Sequence, residues 1–426
     1  DDQGWWDIGM RGNQDIDTPV LDRLASESVD FTRFYAAPVC APTRAGLMTG
    51  RYCFRTGLYN TRFGGDTLGI DEITVAQQLS RAGYRTGCFG KWHLGKNAND
   101  PASRGFERSF ALLNGGASHW ADQAAMIPGS VTRYTSNGEP IDDLTEGFYS
   151  STWYTDQLIS YLDADKGGDA PFFAYLSFTA PHNPLHAPRE YIDKYKGRFD
   201  GGWDELAKER LARLRELGLV DTDQSPHPRP AWILGWDELK PEQRATRARD
   251  MEIYAAMIDY MDQSIGRLFD YLRRDGKYQD TLIVFISDNG PSRTSIMDYL
   301  ALGGESGEFF RQFDNSLANK GMPGSSTDIG PGWAYAAATP LRLFKGYVAQ
   351  GGIPGVNGRV QTFYPMVAGW AYSGSEEGPK MVASWIDTLQ ELVGKTETQK
   401  YFALSPFIAN ASRQKRLLSN QELSSQ

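Results

Sequence analysis

With 426 residues, 40% hydrophobic and 12% aromatic, the chain can bury one large core, or a large and a small one, and is not a disordered sequence. A net charge of −9 advertises no basic face, which argues against nucleic acid as a partner but leaves room for an anionic substrate in a local cluster of Arg, Lys and His. Cys40, Cys53 and Cys88 are too few for a disulfide framework and match no zinc spacing, and no apolar run approaches membrane-spanning length. Few cysteines and no leader at Asp1-Asp2-Gln3-Gly4 favour a cytoplasmic setting; a removed signal peptide, with a periplasmic or secreted product, would leave the same sequence.

The chain is loop-rich to Thr18-Pro19, after which an amphipathic helix is expected over residues 20–27 and a strand over 29–35. In Cys40-Ala41-Pro42-Thr43-Arg44, Pro42 suits the first turn of a helix that Gly50 would stop. Cys40 then sits just ahead of the helix N-terminus, with Arg44 one turn on and facing the same way. The helix dipole and a guanidinium would favour an anion there. On these residues alone, a small buried hydrophobe is an equally good reading of Cys40. Thr74 has the character of an N-cap for a helix to Leu79, with Gly83 as its stop. Residues 84–89 read as a strand ending in Gly90-Lys91-Trp92-His93, and residues 95–150 as surface loops.

Residues 171–178 form an apolar run of buried-strand length that ends in Thr179-Ala180-Pro181-His182. A charged helix is expected over 203–219 and a long one over 251–274, whose Met and Leu stripe belongs in a core. Residues 281–286 read as a third buried strand, followed at once by Ser287-Asp288-Asn289-Gly290. Residues 291–335 read as loops, 340–346 carry Arg342 and Lys345, and a last helix is expected over 381–393 before a polar tail.

Strands alternating with helices indicate an α/β fold with a largely parallel sheet covered on both faces. Ligands in such folds bind beyond the carboxyl ends of the strands. Three expected strands end there in residues capable of chemistry: Lys91 and His93, then His182, then Asp288 and Asn289. Asp1, Asp2, Asp288 and Asn289 offer oxygen ligands suited to Ca²⁺, with Mg²⁺ or Mn²⁺ as competitors. Each taken alone also fits a solvated pair or an ordinary turn.

The run from Cys40 to Arg44, continued by Ala45-Gly46-Leu47-Met48-Thr49-Gly50-Arg51, resembles the Cys-x-Pro-x-Arg signature of the type I sulfatases. Gly90-Lys91-Trp92-His93-Leu94-Gly95, Ala180-Pro181-His182, Ser287-Asp288-Asn289-Gly290 and Thr339-Pro340-Leu341-Arg342, with Lys345 and Gly351-Gly352-Ile353 following, occur in that family's order. The stretch 191–289 looks most like bacterial arylsulfatases. The resemblance implies an alkaline-phosphatase-like fold, with a catalytic domain over 1–353 and a divergent remnant of a reduced C-terminal subdomain over 354–426. In the family an apolar strand leads into the Asp-Asp pair, whereas this sequence opens on the pair.

The same resemblance implies hydrolysis of sulfate monoesters, aryl sulfates in particular, by hydrated formylglycine (3-oxoalanine) formed from Cys40 by a maturation enzyme. Asp1, Asp2, residue 40, Asp288 and Asn289 would hold the metal, and Arg44, Lys91 and Lys345 would add positive field. One hydroxyl at position 40 would attack sulfur while passing its proton toward Asp288. His182 or Lys345 would protonate the leaving oxygen, and His93 would take the proton of the second hydroxyl. A phosphonate monoester or phosphodiester hydrolase of the same superfamily, or a non-catalytic remnant, are the alternatives.

Overall fold

The computed structural model describes residues 1–347, apart from 31–35, 63 and 224, together with the backbone of 370–372. In chain order the regular elements are helix α1 (Pro19–Ser26), strand β1 (Ser28–Asp30), α2 (Cys40–Thr49), α3 (Val75–Arg81), β2 (Arg85–Lys91), β3 (Arg108–Leu112), β4 (Tyr134–Ser136), β5 (Glu139–Ile141), α4 (Ser150–Asp163) and β6 (Phe172–Ser177). There follow α5 (Arg189–Lys194), α6 (Gly202–Glu216), α7 (Pro241–Arg274), β7 (Ile283–Phe285), α8 (Ile296–Leu302), α9 (Gly304–Arg311), α10 (Gly330–Ala338) and β8 (Trp370–Tyr372). Among the described residues, no helix is long and apolar enough to cross a membrane.

A five-stranded sheet of order β5-β4-β3-β2-β6 carries the fold. β2 lies between β3 and β6 and is parallel to both, and β4 and β5 extend the sheet as an antiparallel hairpin. Successive β2 side chains point to opposite faces. Phe89 therefore joins the larger core with α4 and α7, while Cys88 joins a smaller one with Ala41, Ala45 and Met48 of α2, Ala76 of α3 and Trp92. Helices thus cover both faces, as an α/β sheet requires.

Local sequence sets several boundaries. The α3 cap is a complete capping box: the Gln77 amide donates to Thr74 Oγ1 at 3.1 Å, and the Thr74 amide donates to Gln77 Oε1 at 2.9 Å. The Thr74 hydroxyl also donates to the Arg104 carbonyl at 2.6 Å, tying the helix to the loop before β3. Thr74→Ala is expected to cost about 1–2 kcal/mol, read as a lowered urea midpoint with an unchanged slope.

The structure differs from the sequence reading in four places. Residues 95–150 are not all surface loop, because β3 is a buried sheet strand whose apolar stretch is too short to stand out. Helix α7 starts ten residues before the expected 251, with Pro241 in its first turn; those turns are polar on the outside and carry no apolar stripe. Residues 291–335 hold α8, α9 and α10; the last, rich in Gly and Ala, is held by Trp333 packing against Trp203 and Trp236. β7 is short and partly exposed at Val284, and it pairs antiparallel with β8, which in turn pairs with β1, instead of joining the main sheet. The outer part of the strand expected over 29–35, Gly351-Gly352-Ile353, the helix expected over 381–393 and the polar tail lie outside the described residues.

Candidate active site

Six chain segments meet beyond the carboxyl ends of β2 and β6: the chain start, the start of α2, the end of β2, the loop after β6 with His182, the loop after β7, and Lys345. Helix α2 begins at Cys40 itself, with Val39 extended as its N-cap, and closes on Gly50, whose φ of 66° is left-handed. Cys40 and Arg44 are both buried on its first turns. Lys91 ends β2 and His93 follows with φ 58°, a left-handed conformation uncommon for a side chain of that size. Asp288 and Asn289 follow β7, and Asp2, also left-handed at φ 65°, brings the chain start into the same place.

Arg44 is the hub. Its Nε donates to Asp288 Oδ2 at 2.7 Å, and its NH1 donates to the Lys91 carbonyl at 2.7 Å and Ser177 Oγ at 2.6 Å. Asp1 Oδ2 lies 3.6 Å from its second terminal nitrogen. The Lys91 ammonium bonds Asp1 Oδ2, and the Lys345 ammonium bonds Asp2 Oδ1 at 2.5 Å, where Asn289 Nδ2 also donates. Cys40 Sγ stands 3.2 Å from His93 Nδ1. His182 Nδ1 donates to the Asn183 carbonyl, which leaves Nε2 as the open nitrogen, 3.5 Å from Asp2 Oδ2.

Each acidic side chain thus spends one oxygen on a cation and keeps the other. Asp1 Oδ1, Asp2 Oδ2, Asp288 Oδ1 and Asn289 Oδ1 are buried and have no hydrogen-bond partner among the described residues. Leaving four such acceptors unpaired costs several kcal/mol, on the order of 1–3 for each. They are hard oxygen donors on loops, so the residues present fit a divalent cation. Ligating atoms of Asp1, Asp2 and His182 also lie within 4.8 Å of one another. All the residues singled out in the sequence therefore come together here: Cys40, Arg44, Lys91, His93, His182, Lys345, Asp288, Asp1, Asp2 and Asn289.

The electrostatics follow from burial inside a cationic cluster. Burial, reinforced by Arg44 and Lys345, lowers the Lys91 ammonium to about 8. Burial and the neighbouring lysines hold His93 and His182 well below the usual histidine range, so both rings are neutral. Burial works against charge on Lys345 and on Asp288. The negative groups around Lys345, Asp2 foremost, together outweigh it and raise Lys345, while Arg44, the N-terminal ammonium, Lys91 and Lys345 together outweigh it and keep Asp288 a carboxylate far into acid.

Sequence reasoning missed the supports. Ser177, on Arg44, is the last residue of β6, inside the apolar run before His182, and that position at a strand end was the available signal. Tyr254 and Asp7 fix the chain start: the Gly4 amide donates to the Tyr254 hydroxyl, which itself donates to Asp7 Oδ2 at 2.8 Å, and Asp7 Oδ1 pairs with buried Arg210 at 2.7 Å. These links span more than 200 residues, and no local pattern announces them.

Behind His182 lies a second pair of rings. His119 Nε2 donates to the His182 carbonyl at 3.1 Å and its Nδ1 accepts from Ser150. The His119 amide donates to His186 Nδ1 at 3.2 Å, and His186 Nε2 donates to the Ser325 carbonyl at 2.9 Å. A proton on His186 Nδ1 would face that amide N–H. Burial lowers His119 to about 3 and His186 to about 4. Unfolded histidines titrate near 6.5, so the unfolded chain takes up protons first, and stability present above that pH is lost as pH falls toward 4. The loss should approach about 1.4 kcal/mol per pH unit for each ring. Urea midpoints between pH 7.5 and 5 measure it, and His186→Gln should flatten the dependence.

A model of the sulfatase family matches residues 1–331. The chain is 39% identical over 375 residues to an uncharacterized sulfatase of Schizosaccharomyces pombe, covering 83% of this chain and 67% of that one. It is 37% identical over 366 residues to an arylsulfatase of Klebsiella aerogenes, covering 83% and 77%. In fold it resembles the crystal structure of Ps i-CgsB in complex with k-i-k-neocarrahexaose, with a TM-score of 0.57 at 23% identity over 89% of this chain and 65% of that one. The chain belongs to the sulfatase family.

Proposed function

We propose that the protein hydrolyses sulfate monoesters, with aryl sulfates as the leading substrate class. The observation that carries this reading is the set of three cations, Arg44, Lys91 and Lys345, and four unpartnered oxygens gathered where Cys40 meets His93. The arylsulfatase relative supports the aryl class.

Asp1, Asp2, Asp288, Asn289 and an oxygen at position 40 would hold a divalent cation, Ca²⁺ first, which when bound offsets sulfate charge and makes a nearby hydroxyl more acidic. Formylglycine made from Cys40 by a maturation enzyme supplies, as its hydrate, two hydroxyls on one carbon. Arg44, Lys91 and Lys345 bind and orient the sulfate oxygens, where charge is concentrated. His93, kept neutral by burial, accepts a proton at Nδ1, the nitrogen that faces residue 40. Lys345 holds a proton at Nζ that it can pass to the leaving oxygen. His182, neutral with its Nδ1–H committed to the Asn183 carbonyl, has a bare Nε2 and passes a proton to that oxygen only after first taking one up at Nε2.

Turnover of 4-nitrophenyl sulfate against a 4-nitrophenyl phosphonate monoester by the matured, Ca²⁺-loaded chain tests the reading. Preference for the sulfate is expected. Preference for the phosphonate identifies the superfamily's other chemistry, and no turnover of either by folded, matured protein leaves a non-catalytic remnant.

A further inference from the structure

The loop after β3 seats two consecutive glycines on the two active-site histidines. A Cβ on Gly115 would stand 2.6 Å from His93 Cε1 and 2.9 Å from its Nε2; a Cβ on Gly116 would stand 3.0 Å from His182 Nδ1 and 3.0 Å from Met126 Sδ. Neither glycine is among the left-handed residues of the chain, so the backbone does not ask for glycine at either position. What excludes a side chain is the ring in front of each. The ledge cannot retreat either. The Leu113 amide donates to the Arg133 carbonyl at 2.9 Å, Asn114 exchanges bonds with Val131 and Arg133, and the Ser118 amide donates to the Ala124 carbonyl at 2.9 Å.

We propose that Gly115 and Gly116 are separate positioning residues, Gly115 for His93 and Gly116 for His182, and that each thereby controls one of the two proton transfers. The assignment of the rings to opposite transfers rests on the proposed function. The seating of the rings does not. His93 holds Nδ1 toward residue 40, so a ring pushed at Cε1 turns away from that position. A displacement of this size at a reacting group can cost about 100-fold in rate. Gly116 is more forgiving, because Met126 is a flexible neighbour that can share the shift.

The test joins two readouts. In the unmodified, metal-free chain labelled with ¹⁵N-histidine, which has five histidines, Gly115→Ala should move the imidazole signals of His93 and Gly116→Ala those of His182, each leaving the other ring in place. In the matured enzyme, Gly115→Ala should lower kcat by about 100-fold alike for phenyl sulfates of good and poor leaving groups. Gly116→Ala should lower it by roughly 10-fold and more for poor leaving groups, because protonation of the leaving oxygen matters most there. Met126→Ala added to Gly116→Ala should recover part of that loss, a coupling expected only of groups in contact. Unchanged His93 signals with alanine at 115, or equal movement of all five rings in both variants, overturns the proposal. If the wild-type protein hydrolyses no sulfate ester, the proposed function falls and the NMR measurement still decides the ledge.

Discussion

Cys40→Ser is expected to fold as the parent does and to lose turnover of 4-nitrophenyl sulfate by about 10⁴-fold or more, the scale of losing a covalent nucleophile. Stability should hold because Cys40 Sγ meets His93 Nδ1 at 3.2 Å, a contact that a hydroxyl at the start of α2 can keep. Activity should fall because serine offers one hydroxyl where the hydrate offers two. His93 then has no second proton to take, and the site does not reset. The pair of measurements is kcat/KM beside Tm. Loss of rate with an unchanged Tm is the expected combination, and a serine variant turning over at the parent rate would place the nucleophile elsewhere.

Arg44→Ala should damage both fold and chemistry. Removing the guanidinium strips Asp288 Oδ2, Ser177 Oγ and the Lys91 carbonyl of a buried donor and leaves the Asp288 carboxylate short of its nearest cation. Breaking a buried pair from one side typically costs about 3–5 kcal/mol, and losing one preorganised donor to a developing anion costs about 10²–10³ in kcat. Arg44→Lys keeps the charge but not the fork that reaches Asp288, the Lys91 carbonyl, Ser177 and Tyr175 at once, so it should recover stability only in part. Urea unfolding gives the first quantity, and kcat at a temperature where the variant is folded gives the second. A lysine variant equal to the parent in both would show that charge alone is needed.

Much of the site was legible because its residues sit at strand ends, where short motifs mark them. Lys91 and His93 close β2, and His182 follows β6 after an apolar run that any buried strand would show. Asp288 and Asn289 were legible for the same reason, although the strand before them proved short and paired outside the main sheet. Pairings were not legible. That Lys91 reaches Asp1 and Lys345 reaches Asp2, each leaving the second oxygen free, depends on contacts 90 and 343 residues apart. β3 and α10 were missed because burial by distant partners, Trp203 and Trp236 in the case of Trp333, overrides weak local signals. Gly115 and Gly116 lie in the stretch 95–150 that reads in sequence as surface loop, and only the positions of two rings give them meaning.

The proposed chemistry requires an aldehyde at residue 40. Its most direct test is the mass of the tryptic peptide covering residues 34–44, from protein produced together with a formylglycine-generating enzyme. The expected mass is that of an aldehyde in place of the thiol at position 40. A peptide that keeps the thiol under those conditions would contradict the account, whatever the rest of the site looks like.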